Sequence, residues 1–390
     1  MACPGHDPRG EYAAENLRVL GVLERIRLHA GMYIGSTDSR GLSHILFSLV
    51  TNSLAEAAAG AGRVVRVALR ADGSVEVGDD GRVPADDAAA ELAFGRLGTG
   101  SQVGYCSFNG REYAHYAVAH ALSERLSVTV RWPGSRYQHV FRRGMTDAAV
   151  LGGGPPDDRG LTVALWPDPL IFGEARFDAA GIRARLQQLA FLHSGVRLTF
   201  SDEVTGTRDE FEYADGVREY VQSLCENREA LHDPILLRGE EQGVRYEVGL
   251  RWCADGDEVV RSFANHDFTS QGGTHYHGLI AGAVRGLSDF ISEDALNSGE
   301  FARDDFREGL VAVVSVWLRT PFFISATASQ LGNPEVEAVV SNAVRTGVRA
   351  YFEANRDSAD RVVRAVVLTR DIRVASRKAR KSVRQNRNGG

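Results

Sequence analysis

Ser48, Asn52 and Glu56 stand four residues apart, a spacing that sets their side chains on one face of a helix. Further along, Asp79-Asp80-Gly81-Arg82 leaves an alternating apolar run at a tight turn. A hydroxyl, a carboxamide and two carboxylates converging on one place suit recognition of a small polar molecule. The carboxylates accept N–H donors, and the carboxamide takes a cation or a donor. Glu56 and Asp79 can also exchange protons, whereas a serine hydroxyl without a partner base is a poor proton acceptor near neutral pH. His266, His275 and His277 form a second grouping with Asp267 beside it, and His115 and His120 lie earlier, but the spacing matches no metal-ligand pattern. Cys3, Cys106, Cys225 and Cys253 are far apart with no Cys-x-x-Cys pair, so neither a disulfide framework nor a zinc site is expected, and a reducing cytoplasm is.

The elements that must position these residues are legible from periodicity. Ile45, Leu46, Leu49, Val50 and Leu54 recur at helical spacing and bury a different face from the polar one. Residues 64–69 and 74–77 alternate around Ala71-Asp72-Gly73, which predicts a hairpin ending at Asp79. Residues 1–11 read as loose, and residues 12–28 as an amphipathic helix carrying Leu17, Leu20 and Leu23. Strands are expected over 126–131, 138–142, 162–166 and 196–200, a helix over 182–191, and a loop at Gly152-Gly153-Gly154-Pro155-Pro156. A polar, turn-rich stretch at 201–208 suggests a domain boundary. Beyond it come a helix over 214–226, strands over 244–252 and 258–264, a helix opening at Gly272-Gly273-Thr274-His275, a buried apolar strand at 310–318, and helices over 332–354 and 359–387. The reading is a mixed α/β chain divided into 1–11, 12–205 and 206–390. Its 390 residues carry a net charge of -6, which argues against general nucleic-acid affinity despite the basic stretch from Arg373 to Arg387. No apolar run reaches the length of a membrane span, and no leader pattern is expected at the start.

Asn52 on such a helix followed by Asp-Asp-Gly-Arg-x-Pro resembles the ATP-binding fold shared by gyrase B, Hsp90, histidine kinases and MutL. Gly31-Met32-Tyr33-Ile34-Gly35, Phe191-Leu192-His193-Ser194-Gly195-Val196, Gly272-Gly273-Thr274-His275 and the run from Arg307 to Val316 narrow the resemblance to the bacterial gyrase/topoisomerase IV B-subunit family, in the family's order and over roughly residues 12 to 385. The resemblance implies a GHKL-type ATPase sandwich, an S5-like transducer domain, ATP and Mg as cofactors, and a homodimer joined through an N-terminal arm whose tyrosine matches Tyr12. It implies gyrase subunits as partners. It places the magnesium-binding asparagine at Asn52, the adenine-binding carboxylate at Asp79, a pocket ion pair at Glu56 and Arg82, and a close-approach turn at Gly81. The pocket threonine falls at Leu161, with Thr162 next to it, and the pocket arginine at Trp132, beside Arg131.

The same resemblance exposes departures. The family's general base is a glutamate one turn before the asparagine; here that residue is Ser48. Of the phosphate-binding glycines only Gly110 is kept, with Tyr113 and His115 in the places of two others. The glutamine and lysine that sense the γ-phosphate fall at Ala326 and Ala328, and no lysine precedes Lys378. A preorganised cation at such a position is worth roughly 3–4 kcal/mol in a transition state. The DNA-cleavage module of the family is not in the sequence. The expectation is therefore a protein that binds a small molecule on the adenine side without hydrolysing ATP, modulating gyrase or sequestering an inhibitor aimed at this pocket. Two alternatives stand beside it: a pocket recruited for small-molecule biosynthesis, as a cyclase or isomerase using Asp79, Glu56, Tyr113 or His115, and an ATP-dependent type II topoisomerase component. DNA contact is expected to be weak or absent.

Overall fold

The computed structural model describes residues 21–83, 107–108, 111–112, 114–155, 159–254, 256–291, 296, 301–324 and 328–387; at 22, 107–108, 111–112, 114–115, 146 and 381–387 it describes the backbone alone. Two compact units emerge, one of residues 1–187 and 196–212, the other of 188–195 and 213–390.

The first unit is built on an eight-stranded sheet. In chain order its elements are α1 (Val22–Leu28), α2 (Ala30–Ile34), α3 (Ser39–Ala58), β1 (Val64–Leu69), β2 (Val75–Asp79), the short pair β3 (Ser107–Phe108) and β4 (Arg111–Glu112), α4 (Ala114–Leu122), β5 (Ser123–Trp132), β6 (Ser135–Arg142), β7 (Met145–Gly153), β8 (Gly160–Pro167), α5 (Pro169–Phe172), α6 (Ala179–Leu192), β9 (Arg197–Asp202) and β10 (Thr207–Phe211). The sheet order is β10-β9-β1-β2-β8-β5-β6-β7, antiparallel except where β1 meets β9. Alternation gives the sheet one apolar face: Val65, Val67, Val75, Val77, Leu161, Val163, Leu126 and Val128 are all buried and share it through the register. Helix α3 lies against β1 and β2 and buries Leu42, Ile45, Leu46, Leu49, Val50 and Leu54. Its start is set by Asp38, whose carboxylate accepts the Arg40 N–H at 2.9 Å.

Two features differ from the sequence reading. Gly152 and Gly153 are strand residues of β7, because each glycine still pairs with β6. The polar stretch 201–208 is the turn of the β9–β10 hairpin, closed by Asp202, which accepts from the Val204 N–H and the Thr205 hydroxyl, each at 2.9 Å. The chain passes into the second unit at residues 188–195, returns at Val196 and leaves the first unit finally after Glu212. Helix α1 is tied down by charge. Arg27 donates to Asp168 at 2.5 Å and to the Ala121 carbonyl at 2.6 Å, and Arg143 reaches Asp168 at 3.1 Å. Burial pushes the Asp168 carboxyl up, but Arg27, the Leu170 N–H and Arg143 more than offset it and hold the group below its usual range.

The second unit continues with α7 (Val217–Leu224), β11 (Ile235–Glu241), β12 (Val244–Trp252), β13 (Val259–Ala264), β14 (Asp267–Phe268), α8 (Thr274–Ser288), a 3-10 turn at Arg303–Phe306, β15 (Leu310–Trp317), α9 (Pro334–Ala354) and α10 (Arg356–Arg387). Its sheet runs β11-β12-β15-β13-β14. The central strand β15 is apolar on both faces because both are covered. Leu310, Ala312, Val314 and Val316 join the core beneath α8 and α9, while Val311 and Val313 join a second cluster with Val217, Tyr220 and Phe191. Gly278, Gly282 and Gly286 give α8 a bare stripe against α9. A Cβ at Gly282 would lie 2.6 Å from the Ser341 carbonyl oxygen and 2.7 Å from the Val344 Cβ. Among the described residues no helix is long and apolar enough to cross a membrane.

Candidate functional site

The end of β2 and the polar face of α3 meet in the first unit. Asp79, 2% exposed, is the last residue of β2 and faces α3 because it alternates with Val77 and Val75. Its carboxylate is held at both oxygens: the Ser53 hydroxyl donates to Oδ2 at 2.6 Å, and the Gly81 N–H donates to Oδ1 at 3.0 Å. A carboxylate is an acceptor-only group of the kind that recognises an N–H donor. The neighbouring Asp80 does a different job, accepting the Arg63 and Val64 N–H groups, each at 2.9 Å, and so fastening the start of β1.

Along α3, Glu56 is buried and pairs with the half-exposed Arg82, whose Nε lies 2.8 Å from a Glu56 oxygen. Asn52 is 5% exposed, and its Nδ2 has no hydrogen-bond partner among the described residues. A buried amide left this way costs about 1–3 kcal/mol unless a ligand or water takes it. Ser48 is half-buried, and its hydroxyl donates to the His44 carbonyl of its own helix at 2.8 Å. Its single proton is thus directed along the helix.

Thr162, expected beside the pocket, is on the other side of the sheet. It pairs with Gly78 and Thr129, out of phase with Val77 and Val163, and its hydroxyl accepts from Arg131. Arg131 occupies that same far face and grips the Asp79 carbonyl at 3.1 Å. On the Asp79 side the corresponding residues are Leu161, which is buried, and Trp132, in phase with Val130. Gly160 is required here: its φ of 136° and a would-be Cβ only 1.9 Å from the Asp79 carbonyl oxygen admit no side chain.

Ser53 escaped the sequence reading. The available signal was a hydroxyl within the buried stripe of α3, which needs a partner. Tyr12, Gly110, Tyr113 and Ala326 lie outside the described residues, as does the side chain of His115. Ala328 is described in the second unit, with a φ of 52°. The histidines of that unit do not converge: His275 is buried with Nε2 2.9 Å from the Thr269 hydroxyl, while His266 stacks on His193 with ring nitrogens 3.1 Å apart. Among the described residues no group of three or more His, Cys, Asp or Glu side chains could hold a metal ion.

The architecture is the mixed α/β fold of gyrase B ATPase structures. It is similar to the 43K ATPase domain of Thermus thermophilus gyrase B, a structure in complex with an aminocoumarin, at 32% identity and a TM-score of 0.77, covering 93% of this chain and 99% of that one. The B-subunit of the DNA gyrase from Myxococcus xanthus is similar at 27% identity and a TM-score of 0.74, covering 85% of this chain and 96% of that one. The DNA gyrase B family model matches residues 216–382. The gyrase B protein of Thermotoga maritima is 35% identical over 396 residues, 96% of this chain and 62% of that protein. The chain belongs to the DNA gyrase/topoisomerase IV B-subunit family and corresponds to its N-terminal GHKL and transducer region. It spans about three fifths of the length of that relative (62%).

Proposed function

We propose that this chain works by binding a small molecule at the Asp79 side of the pocket and does not turn over ATP. The observation that carries the reading is Ser48, which stands where the family's general base is expected and spends its proton on the His44 carbonyl. A serine so placed has no carboxylate to accept a proton from water. An adenine amino group fits the other end: Asp79 is buried, is oriented by Ser53 and Gly81, and is an acceptor of the kind an amino N–H requires. Asn52, whose Nδ2 has no partner among the described residues, supplies a second polar contact. The γ-phosphate end fits poorly, because Ala328 brings no charge and no lysine precedes Lys378.

The same wall suits a pocket-directed gyrase inhibitor, such as the aminocoumarin bound to the Thermus thermophilus relative. Sequestering such a molecule, or modulating gyrase in the cytoplasm as a homodimer joined through the arm at 12–28, is the role this reading assigns. Calorimetric titration with an aminocoumarin and with MgATP, alongside a phosphate-release assay, tests it. Aminocoumarin binding that Asp79→Ala abolishes, with no ATP turnover in the wild type, is the expected outcome. Turnover at rates typical of gyrase B would overturn the reading, and Ser48→Glu reports how much of the loss lies at that one residue.

A further inference from the structure

Cys225 and Cys253 are separated by 28 residues in sequence, yet their sulfurs lie 3.7 Å apart in the second unit. Cys225 follows the last turn of α7, and Cys253 follows β12, where it bridges to Ala230. Both belong to the cluster formed by Val217, Val221, Phe263 and Val311. We propose that these two thiols form a peroxide-sensitive pair whose oxidation staples α7 to the end of β12.

Three observations support it. The sulfurs are already near van der Waals contact at 3.7 Å, so reaching a bond length of about 2.05 Å needs a sulfur movement of about 1.6 Å. Cys225 is 4% and Cys253 1% exposed, so the oxidant that reaches them has to be small and uncharged rather than a bulky disulfide reagent. The Cys253 S–H directed at Cys225, with Arg251 and Arg228 nearby, lowers the Cys225 thiol, while the same pairing and burial push Cys253 up. Cys225 is the more exposed of the two and the one that accepts the S–H of its partner, so it is the attacking sulfur, and Cys253 resolves. The Cys225 thiolate attacks hydrogen peroxide, giving a sulfenic acid and hydroxide. Cys253 then displaces that hydroxyl as the S–S bond forms, and its proton leaves with the hydroxyl as water. In sum, two thiols and one peroxide become one disulfide and two waters.

The test uses the full chain carrying Cys3→Ser and Cys106→Ser, treated with hydrogen peroxide, unfolded, and titrated for thiols. The expected result is joint loss of both thiols, a cross-linked peptide pair containing Cys225 and Cys253, and an upward shift in Tm that dithiothreitol reverses. Cys225→Ser should leave Cys253 reduced under the same treatment, whereas Cys253→Ser should let Cys225 proceed to sulfinic acid. Should either single variant fail to fold, the peptide map of the two-cysteine chain still decides. Two thiols that stay free, or a Cys225 over-oxidised without a cross-link, would overturn the proposal.

Discussion

One hydroxyl, that of Ser53, orients the carboxylate on which the proposed ligand contact depends. Its removal in Ser53→Ala takes away a hydrogen bond that fixes Asp79 and keeps the one from the Gly81 N–H; a bond of this kind is worth about 1–1.5 kcal/mol. Aminocoumarin affinity measured by calorimetry is expected to fall roughly tenfold, while Thr162→Ala, altered on the far face of the sheet, should leave it unchanged. A second residue-scale prediction concerns acid. His232 accepts the Trp252 N–H at Nε2 (2.9 Å) and donates from Nδ1 to the Asp233 carbonyl at 2.6 Å, so it is built in as a neutral ring. Burial pushes it down to about 4, and burial with His277 pushes His275 down to about 3. Below the ordinary histidine value of 6.5 the unfolded chain takes up protons that the folded one refuses, so stability falls with pH until those lowered values are reached. The slope is about 1.4 kcal/mol per pH unit for each ring. Urea midpoints compared at about pH 7.5 and about pH 5 should show it, and His232→Gln should remove one ring's contribution.

Among elements, the contact between α8 and α9 depends on what is missing. Gly282→Ala places a methyl against the Ser341 carbonyl and the Val344 Cβ, and overpacking of this kind costs about 1–3 kcal/mol. Chemical denaturation of the variant checks this; an unchanged midpoint would show that the helices give way. For α1 the anchor is Asp168, fully buried between Arg27 and Arg143. Asp168→Ala removes the carboxylate that both arginines share, leaving Arg27 the Ala121 carbonyl and Arg143 the Glu124 carboxylate, and is expected to lower stability by about 1.5–3 kcal/mol. Because the Asp168 carboxyl is lowered on folding, the stability it lends is present above the ordinary carboxylate range and is lost as pH falls through its folded value. At this scale the sequence was informative where burial is one-sided. The stripe from Ile45 to Leu54 and the alternation from Val64 to Val77 predicted α3 and its hairpin, because each apolar period has a single solution. It was uninformative at β7 and β10, whose exposed residues carry no alternation and whose strand state comes from pairing with a neighbour.

For the whole molecule, the division into units falls where no composition shift marks it. Residues 188–192 are the end of helix α6, yet with 193–195 they fall in the second unit, where Phe191 stacks on Tyr213 at 3.7 Å and on Tyr220 at 4.7 Å. Phe191→Ala is expected to cost about 3–5 kcal/mol in that unit, read from hydrogen exchange in β15 and α7. Local order along the chain determined the family motifs, the helix that carries Asn52 and Glu56, and the turn that follows Asp79, since each is written in neighbouring residues. Only the tertiary structure decided that Thr162 turns away from Asp79, that Ser53 turns toward it, and that Cys225 meets Cys253. Those facts depend on which strand lies beside which and in what register, and a shift of one residue in pairing would reverse every side chain.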